Sequence, residues 1–317
     1  MAAYVAGRLL RALPLLLGLS VLVFALVHAA PGGPLTVYLS NPNVRPEDIA
    51  RLEHLLGLDR SLPEQYLSWL SAFARGDWGF SYVDGRPVLE RVLERAPATL
   101  ELMGTAFTLA LAAALVLGSL AALRAGGFAD YLVSASSLVG ISLPTFWLGL
   151  LLQLVFAVEL RLFPTAGRMG VAGGDRLSHL VLPAATLSVF YASSWIRYIR
   201  ASMGETLRRE FVRAGRARGL SETRLLIGHA YPNALFPLVS VLALDFAVLF
   251  SGAVITETVF AWPGMGTLLV DSVYRRDYSV LMAILMVGSL AIVVSNLAAD
   301  LVYGWLDPRV RLSPERG

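Results

Sequence analysis

The residues best suited to chemistry in this sequence lie in one strongly basic interval between two apolar runs, from Glu205 to Pro237. The interval reads ETLRREFVRAGRARGLSETRLLIGHAYPNALFP. Apolar side chains and arginines fall on two separate stripes of a helix that the spacing predicts from Glu205 to Arg218. Gly219 is predicted to end that helix, and a second short helix is predicted to begin at Ser221, which offers a capping side chain. The pattern is that of a basic amphipathic segment.

Three functions for this basic interval remain open. It could dock a cytoplasmic partner, lie on anionic lipid as an amphipathic helix, or serve only as a positive loop that sets membrane topology. Gly215 and Gly219 favour docking, because a helix that only rests on lipid loses roughly 1 kcal/mol at each interior glycine, whereas glycine permits close backbone approach. The residues expected at the docking surface are Glu210, Phe211, Arg213, Ala214, Gly215, Arg216, Arg218 and Gly219.

The composition is that of an integral membrane protein. Of 317 residues, 56% are hydrophobic and 15% are charged, and the mean hydropathy is +0.65. These values are too apolar for a water-soluble globule. The pI near 9.3 does not indicate nucleic-acid binding, because the arginines alternate with apolar runs instead of forming one basic face.

Two residue types are missing from the sequence, and their absence excludes several chemistries. All 26 basic residues are arginine, so the chain has no lysine for a P-loop or a Schiff base, and any ATP chemistry must reside in a partner. Without cysteine it has no disulfides, thiolate nucleophiles or cysteine-ligated zinc. The four histidines are too scattered to indicate a metal site. No catalytic residue, metal or cofactor is expected in this chain.

Six apolar runs are long enough to cross a bilayer as helices. They are predicted at about residues 9–30, 98–123, 131–158, 179–199, 233–256 and 279–305. The first run also has the pattern of a signal peptide, but the spans that follow favour an uncleaved anchor. Six spans place both termini on one side of the membrane.

Arginines in the short loops predict which side of the membrane is cytoplasmic. Those near the termini, at Arg124 and from Arg200 to Arg224 outnumber those in the loops of the opposite side. Both termini and the basic interval are therefore expected in the cytoplasm.

The long polar interval at residues 31–97 is expected to form a small helical cap on the outer side of the membrane. The cap has too little core to fold independently. Helices within it are predicted at about residues 46–57, 63–75 and 87–95. The expected organisation is a first span in residues 1–30, the cap in 31–97, and a five-helix core in 98–317 that carries the cytoplasmic loop 201–232.

Three residues are candidates for a translocation path. Asp245 lies deep in the fifth predicted span, where it either lines the path or packs the bundle as a protonated or locally paired aspartate. Pro144 must kink the third span and free carbonyl groups that need a polar partner. Glu257 begins the sequence ETVFAWPGMG, whose proline and glycines suit a broken or re-entrant turn at the mouth of a cavity.

Taken together, these motifs resemble one family over nearly the whole chain. The stretches LGLDRSLPEQYLSWL, GISLPTFWLG, HLVLPAATL, ETVFAWPGMG and DPRVR are similar to the first-permease type of bacterial ABC importers for dipeptides, oligopeptides and nickel. The resemblance implies an all-α integral membrane protein with the ABC type I importer permease fold. It also implies six transmembrane helices and a small helical extracytoplasmic insertion between the first and second.

In that family the basic loop is a coupling segment, and its short helix lies in a groove of the ATPase subunit. The residues that match the family pattern are Glu210, Arg216, Ala217, Gly219 and Leu220. Ala214, Gly215 and Arg218 stand where threonine, alanine and lysine are common. Asp245 stands where an uncharged polar residue is common.

The resemblance further implies a complex in the bacterial inner membrane. Its other members would be a second related permease, two ABC ATPase subunits that bind ATP and Mg, and an extracytoplasmic solute-binding protein that delivers a peptide. Nickel, glutathione and oligosaccharide are alternative cargoes for the same fold. An ion-coupled secondary transporter is an alternative from a different class; it would use Asp245 as its coupling carboxylate and need no ATPase.

Overall fold

The computed structural model describes residues 2–29, 45, 47, 51, 53–54, 57–168, 176–235 and 238–306. Within those ranges the chain folds into helices joined by turns, and an isolated strand-type bridge joins Phe80 and Pro87. The helices in chain order are α1 (Ala2–Ala29), α2 (Leu62–Ala74), α3 (Val88–Leu123), α4 (Phe128–Ser142), α5 (Thr145–Leu152), α6 (Arg176–Leu207), α7 (Glu210–Ala217), α8 (Glu222–Leu225), α9 (Tyr231–Leu235), α10 (Leu238–Val259), α11 (Met265–Arg275) and α12 (Tyr278–Leu306). π-Helical segments continue α5 and α8, at Gln153–Glu159 and Leu226–Ala230.

Four of the described helices contain segments long and apolar enough to cross a membrane: Leu10–Ala29, Val88–Leu123, Arg176–Thr206 and Tyr278–Ala298. A further apolar segment is formed by α4 and α5 with its π-helical continuation, and it is bent by 105°. The chain is therefore a multi-pass membrane protein. The fifth predicted span, at about residues 233–256, corresponds to α10, and the total of six stays a prediction.

The bend between α4 and α5 confirms the kink predicted at Pro144. α4 ends at Ser142, Leu143 is extended, and Pro144 directly precedes the first residue of α5. Proline lacks the N–H of a helical hydrogen bond and disfavours helical geometry in the residue before it. The third predicted span is consequently two helices at a steep angle.

The chain divides into two compact units, residues 1–99 with 263–294 and residues 100–262 with 295–317. In the first unit α1 packs on α2 through aromatic rings. The ring centroid of Phe24 is 5.5 Å from that of Tyr66 and 6.1 Å from that of Trp69. The helix predicted at residues 63–75 is confirmed as α2, whereas the helix predicted at 46–57 falls mostly outside the described residues.

The third helix expected in the cap is the beginning of the longer helix α3. The separate helix predicted at residues 87–95 is wrong, because α3 runs unbroken from Val88 to Leu123 with Pro97 inside it. The helix continues through Pro97, although a proline lacks the N–H for the helical ladder and its ring crowds the carbonyl one turn earlier. The polar first turns and the apolar span are therefore one continuous helix.

A buried carboxylate connects separate segments of the first unit. Asp277 accepts hydrogen bonds from the Ser81 hydroxyl and from the Tyr82 N–H, and Arg91 Nη1 lies 3.1 Å from its Oδ2. Both oxygens of the carboxylate are thus paired, which is what makes so buried a charge tolerable. The pairing fixes the loop before α3 to the turn between α11 and α12.

In the second unit α4 and α6 run antiparallel in close contact. Arg200 Nη2 donates a hydrogen bond to Asp130 Oδ2 at 2.8 Å, and further along α4 Gly140 faces Ser193. A Cβ at Gly140 would lie 2.2 Å from the Ser193 hydroxyl oxygen, so a larger residue would require the Ser193 side chain to move. Small residues of this kind permit close helix packing in membranes.

Charged side chains mark both ends of the helices in the second unit. At one end Glu101 accepts hydrogen bonds from Arg168 and Arg176. At the other end Asp130 pairs with Arg200. The helical rise of about 1.5 Å per residue separates Arg176 from Arg200 by about 36 Å along α6. A bilayer has a hydrocarbon core of about 30 Å, so the two sets of charges are spaced as a membrane requires.

Gly118 in α3 is expected to tolerate substitution poorly. A Cβ at Gly118 would lie 2.9 Å from both the Ile196 carbonyl oxygen and the Ile199 Cβ of α6, and neither atom can move without shifting the backbone. Gly118→Ala is therefore expected to lower the thermal midpoint of the purified protein by about 5 °C, as overpacking does.

Gly104 provides the matched control, because it lies in the same helix and no atom is within 4 Å of the Cβ position. Gly104→Ala is expected to leave the midpoint unchanged or to raise it slightly, since alanine is the better helix former. Equal midpoints for the two variants would contradict the close packing of α3 on α6.

Candidate functional site

The basic interval folds as two helices with a break that the sequence did not predict. α6 ends at Leu207, Arg209 is extended, and α7 begins at Glu210. The single helix predicted from Glu205 to Arg218 is therefore wrong. The break redirects the chain so that Val212 of α7 is fully buried, and burial of this apolar side chain favours the bent arrangement over a continuous helix.

The turn after α7 forms as the sequence predicts. Gly219 has a positive φ of 76°, and its N–H donates to the Arg216 carbonyl oxygen. This left-handed conformation is the one in which glycine commonly ends a helix. α8 then begins after Ser221, but the Ser221 side chain makes no capping hydrogen bond, which corrects the expected cap.

An ion pair joins α7 and α8 instead. Arg216 Nε and Nη2 donate to Glu222 Oε1 and Oε2 at 2.8 and 3.2 Å. These bonds hold the pKa of the Glu222 carboxyl below its usual value, so the pair is intact at neutral pH. We call α7, α8 and the turn between them the basic hairpin.

Gly215 has a different role from the one its sequence context indicates. Close approach at Gly215 was expected to serve a partner protein, but Leu225 and Leu220 of this chain occupy the space. A Cβ at Gly215 would lie 2.6 Å from Leu225 Cδ1 and 3.4 Å from Leu220 Cδ1. The missing side chain therefore allows α8 to pack on α7, and Gly215 itself is buried.

Gly215→Val is expected to loosen the basic hairpin, because the new side chain meets Leu225. Backbone amides of residues 210–225 should exchange hydrogen roughly tenfold faster, which corresponds to about 1.4 kcal/mol of lost local stability. Adding Leu225→Ala should restore slow exchange by making room. Gly204→Val is the control, since no atom is within 4 Å of that Cβ position. Unchanged exchange in Gly215→Val would contradict the packing of α8 on α7.

The exposed side of the basic hairpin carries an apolar residue among charged ones. Phe211 is 39% exposed, and Ala214 and Arg218 follow it at the helical spacings of three and seven residues, so the three share one stripe. We call these three residues the α7 stripe. The sequence had not singled out Ile227, which is 66% exposed in the π-helical segment after α8. Of the predicted docking residues, those exposed to solvent are Glu210, Phe211, Arg213, Ala214, Arg216, Arg218 and Gly219.

The basic hairpin is connected firmly to the membrane helices. Beyond it, α9 packs against α6, where Met203, Ala230 and Ala234 form a buried apolar cluster with Ala122 of α3. The Ser202 hydroxyl donates to the Ala234 carbonyl oxygen at 2.7 Å. A displacement of the hairpin would therefore be transmitted to α6 through packed atoms and a hydrogen bond.

The membrane carboxylate Asp245 has a specific local partner. Trp195 Nε1 donates a hydrogen bond to Asp245 Oδ2 at 2.6 Å. Trp195 is fully buried, and its ring packs against Phe107 at 5.0 Å and Tyr191 at 5.8 Å between centroids. Asp245 itself is half-buried. The carboxylate thus has a local hydrogen-bond partner, and part of it remains accessible.

Pro144 and Glu257 lie on elements that pack together. Gly149 of α5 lies close to Val259 and Phe260, at the end of α10. Gln153 of the π-helical continuation donates from Nε2 to the Val259 carbonyl oxygen at 3.1 Å. The kinked α5 that follows Pro144 is thus held against the end of the helix that carries Asp245 and Glu257.

The turn after Glu257 is irregular, as its proline and glycines predict. The Trp262 N–H donates to the Glu257 carbonyl oxygen at 2.8 Å, and Ala261 has a positive φ of 47°, which is uncommon for a residue other than glycine. The Glu257 side chain is fully buried. In the part of the chain that the structure describes, no group of three potential ligand side chains is placed to hold a metal.

Apolar helices of membrane-spanning length, with a basic hairpin connected to one of them, define a multi-pass membrane protein. A family described as "Binding-protein-dependent transport system inner membrane component" matches residues 114–312. The corresponding N-terminal family, "Binding-prot-dependent transport system membrane comp, N-term", matches residues 1–103. The chain belongs to this family of transport permeases, which confirms the resemblance drawn from its motifs.

Similar proteins align with this chain over almost their full length. The oligopeptide transport system permease protein AppB of Bacillus subtilis is 38% identical over 315 residues, covering 98% of this chain and 99% of that protein. The di/tripeptide transport system permease protein DppB of Pseudomonas aeruginosa is 37% identical, with coverage of 98% and 99%. The glutathione transport system permease protein GsiC of Escherichia coli is 38% identical, again with coverage of 98% and 99%.

Solved structures support the fold. One structure, titled as an inward-facing conformation of the MetNI methionine ABC transporter, matches with a TM-score of 0.57 and 18% identity, covering 68% of this chain and 96% of that chain. A crystal structure of an amino acid ABC transporter with histidines matches with a TM-score of 0.54 and 14% identity, covering 68% and 93%. The chain therefore has the helical fold of ABC importer permeases.

Proposed function

We propose that this protein is the membrane-spanning permease subunit of an ATP-driven importer of small peptides. The observation that carries the proposal is the basic hairpin, which exposes Phe211 among charged residues and is packed onto the end of a membrane-spanning helix. An exposed aromatic side chain beside arginines is typical of a protein-binding surface. The chain has no lysine for a P-loop, so the ATPase must be a separate subunit.

The proposed complex contains four kinds of protein. This permease and a second, related permease form the translocation path, two ATPase subunits that bind ATP and Mg lie beneath them, and a solute-binding protein delivers cargo from outside. The family description, an inner membrane component, supports a bacterial inner-membrane location. The arginine-rich loops favour both termini and the basic hairpin in the cytoplasm. Residues 31–97 would then form the cap on the outer side.

Peptide cargo is supported by the relatives. Permeases named for oligopeptides, di/tripeptides and glutathione are similarly identical to this chain, at 37–38%. Glutathione is itself a tripeptide, so the three names share one cargo chemistry. Nickel and oligosaccharide have no comparable support among these relatives, and neither has the ion-coupled alternative.

The mechanism follows from how the basic hairpin is connected. ATP binding would bring the two ATPases together and displace the hairpin of each permease that docks on them. The packing of Met203 and the Ser202 hydrogen bond would pass that displacement to α6. α6 carries Trp195, the partner of Asp245. Closure in the cytoplasm would therefore alter the packing around the proposed path, which includes Pro144, Asp245 and Glu257.

Co-purification tests the proposed complex. The protein is solubilised from its native membrane, captured through an affinity tag, and the bound proteins are identified while ATP hydrolysis is measured. We expect a second permease and P-loop ATPases in the captured material, together with ATP hydrolysis. Capture of this chain alone from membranes that contain the proposed partners would contradict the proposal.

A further inference from the structure

A groove between α4 and α6 belongs neither to the basic hairpin nor to the proposed path. It encloses about 410 Å³ and is lined by Ser134, Leu138, Arg197, Arg200 and Ala201. Arg197, Arg200 and Ala201 share one face of α6 at helical spacing, and Ser134 and Leu138 share one face of α4. The groove thus combines two guanidinium groups and a hydroxyl with the apolar side chains of Leu138 and Ala201.

The charges in the groove leave one positive charge uncompensated. Arg200 donates from Nε and Nη2 to both oxygens of Asp130, which uses two of its five N–H donors. Its side chain remains 41% exposed. Arg197 is exposed and has no ion pair within the described ranges. One anionic group bound between the two arginines would balance the charge, because Asp130 already neutralises one of them.

The polar end of the groove lies at the level of a membrane surface. Arg197 is about 32 Å along α6 from Arg176, which pairs with Glu101 at the opposite end of the unit. That separation is close to the hydrocarbon thickness of a bilayer, about 30 Å. Arg197 is consequently at the depth of lipid headgroups when Arg176 lies at the other surface.

Apolar side chains flank the polar end on the surface of α4. Tyr131 is 69% exposed and Leu138 is 58% exposed, and together with Ser134 they follow the spacing of one helical face. The aromatic ring of Tyr131 suits the headgroup region, and Leu138 lies two turns further along the helix, toward the apolar core. The groove therefore places charged groups at the level of lipid headgroups and an apolar side chain at the level of acyl chains, which is the order of these two parts in a phospholipid.

We infer that this groove binds one anionic phospholipid, with its phosphate between Arg197 and Arg200 and an acyl chain along Leu138. Arginine binds phosphate through charge-assisted hydrogen bonds, and basic pockets between membrane helices are typical sites for anionic lipid headgroups. The Asp130 pair holds the Arg200 guanidinium in place, so its remaining donors are preorganised. The second permease is the competing occupant of this surface, and the experiment must distinguish the two.

Photo-crosslinking from inside the groove tests the inference. A benzophenone amino acid replaces Leu138 in the complete complex, which is placed in nanodiscs of phosphatidylcholine with one-tenth phosphatidylglycerol, and the adducts are identified by mass. We expect phosphatidylglycerol adducts enriched about tenfold over the bulk lipid ratio. Arg197→Gln should return the ratio to that of the bulk, and Arg197→Lys should retain most of the enrichment.

Arg124→Gln is the matched control, because Arg124 is exposed at the same end of the helices but lies outside the groove. It removes the same charge and should leave the enrichment within twofold of the wild-type value. Adducts at the bulk lipid ratio, equal loss in both variants, a crosslink to another protein chain, or no lipid adduct at all would each overturn the inference. The readout is independent of cargo, so its failure leaves the proposed transport function untouched.

Discussion

Phe211→Asp is expected to abolish binding of the ATPase and peptide uptake while the protein still inserts into the membrane. Phe211 is the large apolar residue of the α7 stripe, and the substitution places a charge where an apolar contact is proposed. Removal of such a central aromatic residue typically costs about 2–4 kcal/mol of binding free energy, or roughly 30- to 1,000-fold in affinity. The measurement is the amount of ATPase captured with the tagged permease, alongside uptake of a labelled dipeptide.

Two measurements distinguish a loss of ATPase binding in Phe211→Asp from misfolding. Phe211 is exposed whereas Val212 beside it is buried, so the substitution leaves the packing of the basic hairpin intact, and hydrogen exchange of residues 210–225 should remain slow. Phe211→Leu keeps an apolar side chain and should retain most of the captured ATPase. If Phe211→Asp captured as much ATPase as the wild type, the α7 stripe would not be the docking surface.

Asp245→Asn is expected to lower uptake about tenfold without lowering thermal stability. Asparagine keeps a carbonyl oxygen that can accept the Trp195 hydrogen bond and removes only the charge. An ionisable group retained at membrane depth is costly and is by default functional. The measurements are initial uptake rate and thermal midpoint, compared at equal protein level.

Asp245→Leu completes the comparison, because it removes both the charge and the acceptor. The buried Trp195 N–H would then lack a partner, which costs about 1–3 kcal/mol. This variant should lose stability as well as uptake. Normal uptake in Asp245→Asn together with a lower midpoint in Asp245→Leu would show that the carboxylate serves packing and does not line the path.

Local features of the fold could be predicted from the sequence. Hydropathy marked the long apolar helices, Pro144 marked the break between α4 and α5, and Gly219 marked the turn of the basic hairpin. Each of these depends on residues adjacent in the chain, so the spacing alone carries the signal. The family was likewise recognisable from short motifs distributed over the whole length.

Features that depend on distant residues could not be predicted. The break before α7 follows from the burial of Val212, since Arg208 and Arg209 are acceptable helix residues and give no sign of a break. Gly215 faces Leu225 ten residues away on another helix. The sequence does not show that Val212 will be buried or that Gly215 will contact Leu225. The prediction of a single helix failed for this reason.

The polar pairs between membrane helices also depend on distant residues and could not be predicted. Asp245 and Trp195 are 50 residues apart, and Asp130 and Arg200 are 70 residues apart. No periodicity in the sequence shows that such positions will meet. Each buried charge is nevertheless tolerated only because its partner lies close to it in the folded chain. The groove with Arg197 is likewise a product of two antiparallel helices and has no signature in either segment.

Reconstituted transport tests the central claim most directly. The complex is placed in proteoliposomes with the solute-binding protein and a labelled dipeptide on one side, and ATP with Mg is supplied only on the side of the ATPases. The proposed function predicts uptake that requires ATP and continues after proton and sodium gradients are abolished. Uptake by this permease without ATPase subunits, driven by an ion gradient, would contradict the account.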